Sequence, residues 1–143
     1  EKARRLIFSY SNQLSFTIQK AEQLIQQSEY IYSLEEDWDG DGAAAIDKEI
    51  WETAISFLRE YVHFIFNEYK VSLILPEINP GRNNSIDLEW RTENGRLLIN
   101  FNNKNPLKAA FYGDRYNDED CLKGVVDVKG AKAYLAIWMK NCL

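Results

Sequence analysis

Three aspartates, Asp37, Asp39 and Asp41, alternate along a short irregular stretch that also holds Trp38, Gly40 and Gly42. Oxygen ligands at every second position can wrap a hard cation while a glycine makes the sharp turn, so this spacing first invites calcium chemistry between two helices. In such a loop the first, third and fifth positions carry carboxylates, the sixth is glycine and the twelfth is a bidentate glutamate. Asp37, Asp39, Asp41 and Gly42 fit that frame. The twelfth residue is Lys48, a cation where the strongest ligand belongs, and Glu49 comes one step late. The eighth is Ala44 where a branched apolar residue would pair with a second loop, and the chain has no second loop. The same residues also make a packed corner, with Trp38 burying its indole between helix and sheet, a glycine taking positive φ, and Asp47 starting the next helix. The corner accounts for more of the residues, so neither a metal nor another cofactor is expected.

A second constellation is Asp87-Leu88-Glu89-Trp90-Arg91. Residues two apart on a strand point the same way at roughly 7 Å, so Asp87 and Glu89 can share a magnesium ion. Arg91 on the same face completes an acidic-basic pattern similar to metal-dependent nuclease cores. The separate upstream acid of such cores is missing, and their lysine is here an arginine. A solvated outer sheet face gives the same alternation without chemistry, and it makes Asp87, Glu89 and Arg91 candidate partner contacts. His63 stands alone in an aromatic helical stretch, where a partly exposed or satisfied histidine is the default. A dyad of His63 with Cys121 or Cys142 has no flanking signature to support it. Neither a glycine-rich phosphate loop nor a serine elbow is present.

The elements that must hold these residues follow from periodicity. From Asn12 to Leu34, Leu14, Ile18, Ala21, Ile25 and Tyr32 recur at helical steps, widened by Leu24 and Ile31, which predicts a long amphipathic helix docked on a core. Residues 1–11, with Arg5 to Tyr10 inside them, are either its extension or a separate N-terminal piece. A second helix starts at Lys48, with Asp47 as cap and Ile46 and Trp51 as a hydrophobic staple. It buries Ile50, Ala54, Phe57, Leu58, Tyr61, Phe64 and Ile65 and runs to Asn67. Val71 to Leu75 is a β-prone run closed by Pro76 and Pro80. Ser85 to Phe101 forms two alternating strands about Asn94-Gly95; a two-residue turn there sets Trp90 opposite Ile99 and Leu88 opposite Phe101, with Asp87, Glu89, Asn100 and Asn102 on the other face. A third strand over Lys108 to Tyr112 makes a meander, Gly113 to Asp120 is a charged loop, and Leu122 to Val128 is a further strand. Ala131 to Met139 closes the chain as a helix with Ala131, Tyr134, Leu135 and Trp138 inward.

Those elements describe a two-layer α+β domain: two N-terminal helices, an antiparallel meander of three to five strands and a C-terminal helix. At 143 residues the chain fits one domain that buries roughly 70% of its unfolded surface without a staple. A net charge of −5 argues against a phosphate-backbone binder, so nucleic acid is not an expected partner and a basic protein is. Two cysteines are too few for a disulfide framework and read as reduced thiols. No apolar run approaches the roughly 20 residues that span a bilayer, so no membrane is expected. The start at Glu1 without an initiator Met suggests trimming, which leaves room for a removed export signal; cytoplasmic is the default location.

Leu34 to Ala43 (Leu-Glu-Glu-Asp-Trp-Asp-Gly-Asp-Gly-Ala) and Asn84 to Trp90 (Asn-Ser-Ile-Asp-Leu-Glu-Trp) together resemble a group of small uncharacterised bacterial proteins. That group carries a Trp-Asp-Gly-x-Gly-Ala loop before a helix and a Gly-Ser-Ile-x-Leu-Glu-Trp-like strand some forty residues later. Trp38, Asp39, Gly40, Gly42 and Ala43 match the loop, and Ile86, Leu88, Glu89 and Trp90 match the strand, so the resemblance covers about Leu34 to Tyr112. Asn84 stands where the group has a glycine, and Ala44-Ala45 replaces a more polar continuation. The resemblance implies a bacterial origin and no catalytic residue. In it the position of Asp41 is often not acidic, which counts against calcium as a shared purpose. The expected function is therefore a noncatalytic bacterial protein-protein interaction module, antitoxin-like or a complex subunit. The alternatives are a calcium-binding helix-loop-helix protein using Asp37, Asp39 and Asp41, and a metal-dependent hydrolase using Asp87 and Glu89.

Overall fold

The computed structural model describes residues 2–119 and 121–143, with the side chains of residues 6–8 outside the described set. Helix α1 (Lys2–Gln27) leads into a short 3₁₀ turn over Glu29–Ser33, and α2 (Lys48–Tyr69) follows the aspartate corner. Strands β1 (Glu77–Gly81), β2 (Ser85–Arg91), β3 (Gly95–Asn102), β4 (Lys108–Arg115) and β5 (Cys121–Asp127) then form one antiparallel sheet in sequential order, and α3 (Ala133–Cys142) closes the chain. The result is the expected α+β architecture, with the described helices packed on one sheet face.

The helices form where the sequence carries a 3.6-residue apolar period, but their ends depart from expectation. The first helix begins at Lys2, so Arg5 to Tyr10 extend it; their apolar core, Leu6, Ile7 and Phe8, has side chains outside the described residues. It stops at Gln27 because the Ser28 hydroxyl donates to the Ile25 carbonyl at 2.6 Å and its oxygen accepts the Trp51 indole N–H at 2.9 Å. A side chain that bonds the preceding turn competes with helix continuation, and the chain tightens into the 3₁₀ turn. Asp47 does occupy the N-cap position of α2, yet its carboxylate makes no cap bond. It accepts the Asn84 side-chain amide at 2.9 Å, while the Asp47 backbone N–H donates to the Asn84 side-chain oxygen, also at 2.9 Å. This reciprocal clasp ties the start of α2 to the β1–β2 turn. Ile46 and Trp51, the two staple positions, are both buried.

Three strand expectations need correction. Val71 to Leu75 joins no ladder and takes no regular structure, and the first strand lies six residues later, over Glu77–Gly81. β1 tolerates Pro80 because it is an edge strand, where a missing N–H need face no neighbour. The β2–β3 hairpin pairs Trp90 with Leu97, Leu88 with Ile99 and Ile86 with Phe101, two residues away from the register of a two-residue Asn-Gly turn. Thr92 causes the shift: its hydroxyl oxygen accepts the N–H groups of both Asn94 and Gly95 at 3.1 Å, which builds a longer turn ending in an Arg91–Arg96 pair. A slip of two keeps every side chain on its own face. Ile86, Leu88, Trp90, Leu97, Ile99 and Phe101 therefore all remain in the core. The expected loop from Gly113 begins later, since Gly113–Arg115 continue β4; Asp120 lies outside the described residues.

The core lies between α2, α3 and the inner sheet face. Phe57 stacks on Tyr61 and meets Phe101 edge-on, with ring centroids 4.4 and 5.2 Å apart. In α3 the buried residues are Leu135, Ala136, Met139 and Cys142; Tyr134, expected inside, is exposed, and Trp138 is half-buried over Gly113. Gly95 has no room for a Cβ, which would sit 2.7 Å from the Cys142 carbonyl oxygen and 2.8 Å from that of Asp114. A glycine at this position is what lets the end of α3 pass so close to the hairpin.

Candidate functional site

The aspartate corner is a hydrogen-bonded loop built from its own carboxylates. Asp39 accepts the backbone N–H groups of Asp41 and Ala43 at 2.8 and 3.0 Å through one oxygen and Arg82 Nε at 2.8 Å through the other. Asp37 accepts the Gly42 N–H at 2.7 Å, and Glu36 that of Ala45 at 3.2 Å. The Arg82 guanidinium also donates to the Asp41 carbonyl and lies 3.3 Å from the Asp41 carboxylate. Asp37, Gly40 and Gly42 all take positive φ, so the bend uses both glycines and one aspartate, a residue whose short polar side chain tolerates that region. Bonds from the Asp41 amide first, then from Ala43 and Arg82, hold the Asp39 carboxyl below the usual carboxylate range. Trp38 is half-buried, not fully enclosed between helix and sheet; its indole N–H donates to the Ala44 carbonyl at 2.8 Å. The carboxylate oxygens that a cation would need are turned toward backbone amides and Arg82. Among the described residues no three His, Cys, Asp or Glu side chains are grouped to hold a metal ion.

The second constellation lies on the outer sheet face, which no helix among the described residues covers. Antiparallel register lines up Asn79, Asp87, Asn100, Ala110 and Val125 in one row and Glu77, Glu89, Leu98, Tyr112 and Lys123 in the next. Asp87 is half-buried and accepts the Asn100 amide at 2.7 Å. Burial pushes its carboxyl above the ordinary range, against the pull of the Asn100 bond, and the charge of Glu89 pushes the same way. Glu89 holds two guanidinium groups on one oxygen, Arg91 Nε at 2.5 Å and Arg96 at 3.1 Å. With Glu89 between them, the directly opposed Arg91 and Arg96 are bridged instead of repelling. Asp87 and Glu89 do share a face, as the alternation requires, but Glu89 is a guanidinium acceptor here and not an open metal ligand.

Sequence reading placed Asp87, Glu89, Arg91, Asn100 and Asn102 on this face and missed Arg96 and Arg82. Arg96 was legible in principle, since strand alternation puts it on the same face as Leu98 and Asn100 whatever the register. Arg82 meets Asp39 across 43 residues of chain, and only the fold brings them together. His63 is exposed on α2. Cys121 is exposed and Cys142 buried, and neither forms a disulfide. No helix among the described residues is long and apolar enough to cross a membrane. Compared with known protein families, curated proteins and solved structures, the chain matches none of them.

Proposed function

We propose that this chain is a noncatalytic bacterial protein-protein interaction module, acting in the cytoplasm as an antitoxin-like neutraliser or as a subunit of a complex. Its kinship on this reading is with the small bacterial proteins that share its Trp-Asp-Gly-x-Gly-Ala loop and Ser-Ile-x-Leu-Glu-Trp-like strand. One observation carries the proposal: the outer sheet face presents Asp87, Glu89, Arg91, Arg96 and Asn100 already fixed to one another. Side chains ordered before binding lose less entropy when a partner arrives. The adjoining Leu98 and Tyr112 give that face an apolar patch beside its charges, the mixture found at protein interfaces. Charge distribution supports a basic partner. Glu29 to Glu52 contain nine acidic residues against one lysine in a chain of net charge −5, so the acid is concentrated at the corner and the start of α2 while the rest is net basic.

The test uses the protein that copurifies with this chain from its bacterial host. An Asp87→Asn, Glu89→Gln double variant keeps side-chain volume and removes both charges. Its affinity for that protein, measured by pull-down titration, should fall at least about tenfold, equivalent to about 1.4 kcal/mol, with no change in the circular dichroism spectrum. Unchanged affinity would remove the sheet face from contention.

A further inference from the structure

We propose that β5 is the seam of a symmetric dimer, pairing antiparallel with β5 of a second copy of this chain about a two-fold axis at Val125. β5 is the last strand of the sheet, so one of its two edges has no neighbouring strand. Which residues face that edge follows from the ladder. One step beyond the Lys108–Asp127 pair, the Val128 N–H donates to the Leu107 carbonyl at 3.1 Å. In an antiparallel ladder every second residue bonds the neighbouring strand, and those between present N–H and C=O to the other side. Leu122, Gly124 and Val126 therefore bond β4, while Lys123, Val125 and Asp127 turn their backbone groups outward. Among the described residues, none of those three makes a backbone hydrogen bond beyond its own sheet. The edge is also bare: Lys123, Gly124 and Val125 are exposed, Val125 at 57%. An unpaired strand edge of this kind is what a further strand adds to. At the opposite edge of the sheet, β1 carries Pro80, which lacks a donor.

Charge selects both the occupant and the register. With the axis at Lys123, two lysines oppose each other; with the axis at Gly124, Lys123 faces Val125 and Cys121 faces Asp127. With the axis at Val125, Lys123 of each copy faces Asp127 of the other, and the exposed valines meet on the axis itself. The strand is thus complementary to its own reverse. Lys123 enters none of the ion pairs among the described residues. Asp127 meets Lys108 and lies 3.6 Å from Lys132, yet its side chain is 45% exposed and open to a further cation. On the inner face the same register sets Gly124 opposite Val126 of the other copy, so a branched side chain meets a residue that has none. The Phe111 ring passes over Gly124, and Tyr134, 51% exposed, lies with its ring 6.3 Å from that of Phe111, which gives the seam an apolar flank. Two five-stranded sheets then become one continuous sheet. The seam is at the far side of the sheet from β2, so the outcome of the Asp87 and Glu89 substitutions does not decide it.

Sedimentation velocity over a concentration series reaching about 100 µM should show the chain passing from one copy to two. Val125→Pro removes the central donor of the seam, a group that does not bond β4, and should raise the dimer dissociation constant at least about tenfold. Lys123→Glu and Asp127→Lys each set like charges opposite one another across the axis, and each alone should weaken self-association at least about tenfold. Mixed in equal amounts, these two variants regain opposite charges at both ends of the seam. The mixture should therefore dimerise at least about tenfold more tightly than either component, with circular dichroism spectra matching the wild type throughout. Should the proline variant fail to fold, the charge pair decides alone. A wild-type chain that stays monomeric up to about 100 µM, a folded Val125→Pro variant that dimerises as tightly as the wild type, or a mixture no tighter than its components would each overturn the proposal.

Discussion

Glu89 sits between Arg91 and Arg96, and next to it Asp87 has only an amide to lean on. That asymmetry makes the two carboxylates respond to pH in different ways. The Asp87 carboxyl is raised in the folded state by burial. As pH climbs past the ordinary carboxylate range the unfolded chain ionises first, so ionisation of Asp87 takes stability away over the window between the unfolded and folded values. Asp39 is the reverse case: its depressed carboxyl contributes stability that is full above the ordinary range and is lost as pH falls through its lower folded value. Asp87→Asn preserves the oxygen that accepts from Asn100 and removes the charge. Its melting temperature should equal or exceed that of the wild type at pH 7, with the difference vanishing near pH 3; a clear loss at pH 7 would show that the charge itself stabilises the sheet.

At the scale of elements, α1 is tied to α2 by the exposed Glu22–Arg59 ion pair and, where α1 ends, by one buried hydroxyl. Ser28→Ala would leave the Trp51 indole N–H unpaired in the core. A buried donor without a partner costs about 1–3 kcal/mol, so thermal unfolding should shift down by several degrees, and a negligible shift would mean that Trp51 finds another acceptor. Element types were largely legible before any coordinates, because a 3.6-residue apolar stripe and a two-residue alternation are different signals. The hairpin face was legible too, since Ile86, Leu88 and Trp90 alternate with Asp87 and Glu89 whatever the register. Its register was not, because Thr92 competes for the turn with the stronger-looking Asn-Gly pair. Val71 to Leu75 carries strand propensity without a strand partner, and no local pattern reveals whether a neighbour exists. The end of α1 was hidden for a related reason: Ser28 stops the helix by reaching a tryptophan 23 residues away.

For the whole molecule, the corner is a junction as much as a loop. Arg82 binds Asp39 and Asp41, the Ala44 N–H donates to the Arg82 carbonyl at 2.8 Å, and the Asn84 clasp holds Asp47, so the β1–β2 turn fixes the approach to α2. The acids here were legible as a corner from their spacing and the flanking glycines; the basic residue that closes it was not, because it comes from a distant turn. Calcium would have to take Asp37 and Asp39 away from the amides of Gly42, Asp41 and Ala43. Calorimetric titration with calcium to millimolar concentration should therefore give no binding heat and leave the melting temperature unchanged, whereas a ligand of the native state alone would raise it. A stoichiometric heat would reverse this assignment of the carboxylates.

The Thr92 hydroxyl that sets the hairpin register also bears on how long the molecule lasts. An asparagine before glycine ages by attack of the glycine nitrogen on the asparagine side-chain carbonyl, giving a succinimide and then isoaspartate. In Asn94-Gly95 that nitrogen is held by a hydrogen bond to Thr92. Thr92→Val should speed isoaspartate formation at Asn94 during storage of the folded protein, followed by peptide mapping, and equal rates in the two proteins would show that the turn gives no such protection.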